Sequence, residues 1–131
     1  MHDYPDAISL WSQSKGIGLS RADDFEAIQN YLQRNPGMSF VARDQDKLVG
    51  AVLCGHDGRR GFLHHLAVDP AYRRQGIGKQ LAELCITVLR QAGIEKCHLF
   101  VYSENERGLA FWQKLGWRVR DDLELLTREI S

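Results

Sequence analysis

The apolar pattern changes period at one place in this chain, and that change limits the fold more than any other feature. Phe62 to Val68 reads as a strand, and from Ile77 the apolar residues Leu81, Leu84, Cys85, Val88 and Leu89 recur at helical spacing until Gly93. The junction is Asp69-Pro70 followed by the turn Arg73-Arg74-Gln75-Gly76-Ile77-Gly78-Lys79. A strand that runs through a glycine turn into a long amphipathic helix belongs to a mixed α/β domain.

The flanking segments extend this reading. Asp3 before Tyr4-Pro5 marks a helix start, with proline where its missing N–H does no harm. Ser20 is a good N-cap for a second helix, with Asp23 and Asp24 in its first turn. Phe25, Ile28, Tyr31 and Leu32 are its apolar stripe, and Asn35-Pro36-Gly37 is its stop. Met38 to Arg43 and Leu48 to Cys54 read as strands joined by the polar turn Asp44-Gln45-Asp46-Lys47. With Phe62 to Val68 they make an antiparallel meander. Past the long helix, Cys97, Leu99 and Val101 alternate as a strand, Asn105 can cap a short helix ending at Gly116, and Trp117 to Ile130 are expected to supply one or two final strands. No repeat or linker interrupts the 131 residues, so a single domain over 1–131 is expected.

Composition narrows the function. Seventeen basic and seventeen acidic residues cancel, which argues against a nucleic-acid binder. No apolar run reaches the length of a membrane helix and no signal-peptide pattern opens the chain, so a cytoplasmic protein with no membrane partner is expected. Cys54, Cys85 and Cys97 each lie in an apolar run and read as free thiols. Cys54 with His56 would be half of a metal site, but no second pair stands at ligand spacing, so no metal is expected.

The turn from Arg73 to Lys79 is the strongest chemical signal. A helix N-terminus offers free backbone N–H groups and a positive dipole end, and glycines let a phosphate approach them. Arg73, Arg74 and Lys79 add positive charge. A glycine-rich turn with solvated basic residues is the competing reading. The segment is not a Walker A loop, since Gln80 follows Lys79, and it is not a dinucleotide fingerprint, since Leu81 stands where a third glycine belongs.

Leu66-Ala67-Val68-Asp69-Pro70 followed by Arg73-x-x-Gly76-x-Gly78 resembles the acetyl-CoA signature of the GNAT superfamily of N-acetyltransferases. The resemblance continues through Asn105 and Ala110 to Trp117, and the Val49 to Gly61 region is similar to small bacterial YpeA-like members. It implies an α/β fold of α+β type: a mixed central sheet with an antiparallel N-terminal meander, splayed at the acyl-CoA site and flanked by about four helices. It also implies acetyl-CoA as co-substrate and an amine as acceptor. Leu66, Ala67 and Val68 would bind the acetyl carbonyl and pantetheine arm. Arg74, Gln75, Gly76, Ile77, Gly78 and Lys79 would hold the pyrophosphate with Arg73 beside them, and Asn105 and Trp112 would contact the coenzyme. The family's usual first strand has no counterpart, because only Met1-His2-Asp3 precede the first helix. Either the start of the chain has been assigned too late, or the sheet has an open edge, which would favour a homodimer.

Acetyl transfer needs a neutral amine, and an alkyl amine is only about 0.04% neutral at pH 7. His64 is the candidate general base. Strict alternation puts His64, Leu66 and Val68 on one face and His65 on the other. A strand histidine hydrogen-bonded to a neighbour is the other reading of His64. The family's tyrosine acid is replaced here by Trp112, whose indole cannot deliver a proton, which leaves Tyr102 or Tyr72 as alternatives. Trp112 and Trp117 also read as core aromatics. The two functional readings are an N-acetyltransferase acting on an amine of a small molecule or peptide, and a non-catalytic acyl-CoA-binding module.

Overall fold

A computed structural model describes residues 1–131. The chain divides into two compact units, Met1–Phe100 and Val101–Ser131.

In the first unit, α1 (Tyr4–Ser12) carries its proline in the first turn. Ser20 caps a 3₁₀ turn at Arg21–Asp23 rather than the second helix. Its hydroxyl accepts from Ala22 N, and Asp23 Oδ2 accepts from Ser20 N at 3.0 Å, a reciprocal capping box. Helix α2 (Phe25–Arg34) then starts one residue later, at Asp24. Of its expected stripe Ile28 is fully buried, while Phe25 is half-exposed. Asn35 ends the helix and is buried with its needs met. It donates to Tyr31 O and accepts from His56 N at 3.0 Å.

Strands β1 (Phe40–Asp44), β2 (Lys47–His56) and β3 (Gly61–Val68) form the expected antiparallel meander, and β4 (Cys97–His98) adds in parallel beside β3. Gln45 in the β1–β2 turn takes φ 57°, the left-handed conformation that a two-residue hairpin needs. Strand β2 is central and buried on both faces. On one side Ala51, Leu53 and Ala67 pack with Ala7 and Trp11 of α1 and Ile28 of α2. On the other lies α3 (Ile77–Gln91), which buries Leu81, Ala82, Cys85 and Leu89. Gly50 and Gly61 let α3 sit close against the sheet. A Cβ on Gly50 would meet Leu81 at 3.0 Å, and one on Gly61 would meet Leu89 at 2.7 Å. Leu84, expected in the α3 stripe, is exposed instead.

The strand expected over Cys97, Leu99 and Val101 pairs only at Cys97 and His98, opposite Gly61 and Phe62. Beyond that point the β3–β4 pairing ends, which leaves that edge of β3 open. At the other edge of the sheet β1 has one neighbour, as the missing first strand implied. Arg43 of β1 reaches Asp3 at 2.6 Å and Asp6 at 3.3 Å, fastening α1 to that edge.

The second unit holds α4 (Glu106–Lys114), capped by the Asn105 side chain and closed at Gly116 with φ 97°. The one or two strands expected over Trp117–Ile130 do not form. Val119, Leu123, Leu125, Leu126 and Ile130 are exposed, and a turn at Asp121–Asp122 interrupts the run. There Arg120 grips Asp122 through two 2.9 Å bonds. Alternation specifies a strand only where a partner edge accepts its hydrogen bonds, and this segment has none. No helix is long and apolar enough to cross a membrane.

Candidate active site

The turn expected to bind phosphate is built as the sequence suggests. Asp69 accepts from Ala71 N at 2.9 Å and starts a 3₁₀ turn at Pro70–Tyr72. Arg74 (φ 65°) and Gly76 (φ 82°) are both left-handed, and the chain enters α3 at Ile77 with no side chain capping its first N–H groups. Nothing lies within 4 Å of where a Gly76 Cβ would stand, so glycine is required by conformation rather than by space. Arg73, Arg74 and Lys79 are exposed and engaged in no ion pair. The arrangement is an open, positively charged set of donors at a helix N-terminus, which suits a phosphate.

Upstream, β3 departs from simple alternation. Ala67 pairs with Ala51 and His64 with Leu53, so His65 and Leu66 together face Val52 alone. This is a β-bulge, and His65 takes φ 57° within it. The bulge corrects the expected facing of the strand. His64 shares its face with Ala67 rather than with Leu66 and Val68, because Val68 stands opposite Gly50, on the α3 side. His65 is not on the opposite face. Its Nε2 lies 2.8 Å from Asp23 Oδ1, and its ring lies 5.4 Å from that of Trp11, so it points toward α1 as well.

His64 is half-buried between Tyr31 of α2, with ring centroids 6.2 Å apart, and Phe62, parallel to it at 6.3 Å. Burial holds its imidazole below the ordinary histidine value. The neighbouring His65 pushes the same way and Asp23 opposes. His64 is therefore largely neutral at pH 7, the state a base requires. No hydrogen bond ties its ring down. Tyr31 is no proton donor, since burial raises its phenol far above the usual range.

The alternative acids separate. Tyr72 donates to Asp44 Oδ2 at 2.7 Å, and that carboxylate holds its proton more firmly, so Tyr72 is committed to the β1–β2 turn. Tyr102 is exposed and lies in the second unit. In that unit Asn105 Oδ1 accepts from Gly108 N at 2.9 Å, so its oxygen serves as the helix cap and its NH₂ group stays free. Gly108 allows this close fit, because a Cβ there would meet the Asn105 amide nitrogen at 2.5 Å. Trp112, half-buried, packs edge-on to Phe111 at 5.0 Å and Trp117 at 5.2 Å, in a helix that buries no residue fully.

Of the thiols, Cys54 and Cys85 are fully buried and Cys97 is half-buried, its thiol pushed up to about 12 by burial. His56 Nδ1 accepts from Gly58 N at 2.9 Å and shapes the β2–β3 turn.

The family model that matches this chain is the acetyltransferase (GNAT) family, over residues 4–117. The chain belongs to the acetyltransferase (GNAT) family. It is an acyltransferase. Similar curated proteins include an acetyltransferase of Sodalis glossinidius, 27% identical over 98% of this chain and 89% of that one. Another is N-alpha-acetyltransferase 30 of Schizosaccharomyces pombe, 33% identical over 66% of this chain and 61% of that one. Among solved structures, the PaiA N-acetyltransferase of Thermoplasma acidophilum in complex with coenzyme A shares the fold at a TM-score of 0.78. It is 22% identical, over 92% of this chain and 86% of that one. The GNAT chain is thus a member whose β3 carries two adjacent histidines, and the bulge directs both toward α1 and α2. Sequence reading left Asp23 as a first-turn acid, Tyr31 as a stripe residue and His65 facing away. A bulge has no local sequence mark, so no available signal would have grouped them.

Proposed function

We propose that this GNAT enzyme transfers an acetyl group from acetyl-CoA to a primary amine of a small molecule or peptide, by direct attack of the neutral amine. His64 serves as the base. The observation that carries this reading is the layout of β3. Neutral His64 lies just past the last β3–β4 pair, where the edge of β3 becomes open, and the uncapped cationic N-terminus of α3 follows the end of that strand. Bound acetyl-CoA would supply the activated acetyl group. Backbone N–H groups from Arg74 to Lys79 would hold its pyrophosphate, with Arg73 adding charge, and the open edge at Leu66, Ala67 and Val68 would pair with the pantetheine amides. An indole cannot deliver a proton, so Trp112 is not the acid.

Known proteins support the two halves of the reading. A mycobacterial neighbour is described with CoA bound, and an aminoglycoside acetyltransferase, AAC(6')-Iy, with a bisubstrate analogue. The family model spans both compact units, which favours one domain over 1–131. Membership of an acyltransferase family sets aside the non-catalytic module. The test is release of free thiol from acetyl-CoA across a panel of small amines and peptide N-termini. Turnover that disappears in His64→Ala while CoA still binds is the expected result. Unchanged turnover in that variant would remove His64 from the role.

A further inference from the structure

Asp23 is a buried carboxylate, 6% exposed, in a segment whose other residues, Leu19 to Ala22 and Asp24 to Phe25, are exposed. Both of its oxygens are used. Oδ1 meets His65 Nε2 at 2.8 Å and Oδ2 accepts from Ser20 N at 3.0 Å, while its backbone carbonyl accepts from the Tyr4 hydroxyl at 2.6 Å. A carboxylate only accepts, so Nε2 is the nitrogen of His65 that carries the proton in this contact. His65 in turn takes φ 57°, a left-handed conformation strained for a non-glycine residue, and it does so at the bulge that sets the facing of His64. Strain of that kind persists where surrounding contacts over-determine it. The contact here spans 42 residues and joins the strand to the loop between α1 and α2.

We propose that His65 and Asp23 are a positioning pair. They hold the bulge of β3 and fasten it to the segment entering α2, so that His64, set between Phe62 of the strand and Tyr31 of α2, keeps one orientation. Neither residue needs to touch a substrate. The pair acts through the alignment of His64, and the proposal rests on the acetyl-transfer reading only for its kinetic consequence.

Asp23→Asn keeps the shape while removing the charge and one of the two acceptors. Expected is a fall in kcat of about tenfold or more, as small misplacements of a reacting group give, with the KM for acetyl-CoA and the calorimetric affinity for CoA nearly unchanged. His65→Gly tolerates the positive φ but lacks the pin, and should lose kcat to the same extent. The double variant should be no worse than either single one, because both remove one coupling. Wild-type kcat in Asp23→Asn, retained kcat in His65→Gly, or a parallel loss of CoA affinity would each overturn the assignment.

A second readout needs no turnover. The groups around His64 that carry or acquire charge are His65, Asp23 and Tyr31, with His98 on the far side of Phe62. Asp23 raises the His64 pKa, so Asp23→Asn should lower it when the imidazole is titrated by NMR. A His64 titration identical to wild type would refute the pair even if no acceptor were found. Absence of turnover in the wild-type enzyme would instead count against the acetyl-transfer reading.

Discussion

The C-terminal end of β3 and its middle are built by different means. At its C-terminal end the chain runs into Arg73–Lys79, where local features suffice: two left-handed residues, a bare helix start and three unpaired cations. At the middle of the strand, His64 and His65 owe their arrangement to residues far away in sequence, namely Asp23, Tyr31, Trp11 and the register against β2. One end is a local motif and the other is an assembled one. The comparison implies that damage at the turn should weaken binding, while damage at the strand face should slow chemistry.

The largest effect is expected at the strand face. His64→Ala should lower kcat/KM by about a hundredfold, the lower end of what a positioned base contributes, with CoA affinity unchanged in calorimetry. A similar loss of CoA affinity would break the division between the two ends. Next comes Gly76→Val. A β-branched residue at φ 82° costs on the order of 1–2 kcal/mol, so CoA affinity should fall about tenfold while kcat at saturation holds. A fall in kcat alone would put the turn in the chemistry. Arg74→Ala should weaken CoA binding only a few-fold, and raised salt should erase the difference, because this exposed charge is screened.

The smallest effects concern pH. Burial lowers the His64 pKa, so the neutral form should persist below the ordinary value near 6.5. Corrected for the neutral fraction of the amine, kcat/KM should stay level through pH 6.5 and fall only as pH drops through the lowered value. A limb above pH 6.5 would contradict the burial of His64. The same shift has a consequence for stability. Between the lowered value and 6.5 the unfolded chain binds more protons at this site than the folded one, so stability declines as pH falls through that window. Urea midpoints measured on either side of about pH 6.5 should therefore converge in His64→Gln relative to wild type.

Much of the fold was legible because its signals are local. The period change at Asp69–Pro70, the Asn105 cap and the stop at Gly116 each act within a few residues and form as read, and the hairpin read at Asp44 to Lys47 forms with its turn tightened to Gln45-Asp46. Ser20 was legible as a cap, but its capping box closes a 3₁₀ turn and α2 takes its start from Asp24. Trp117–Ile130 shows the opposite case. Its alternation is genuine, yet a strand is a relation between two segments, and no partner edge takes its hydrogen bonds.

The sequence by itself therefore determined the α/β order, the left-handed turn into α3 and the glycine within it, because glycine and helix-start chemistry depend on near neighbours. Only the tertiary structure decided how the two histidines are used. One extra residue opposite Val52 reverses the facing of everything beyond it, and a period-two pattern contains no record of that residue until β2 lies beside it. The buried carboxylate that holds His65 lies 42 positions away, and packing brought it there.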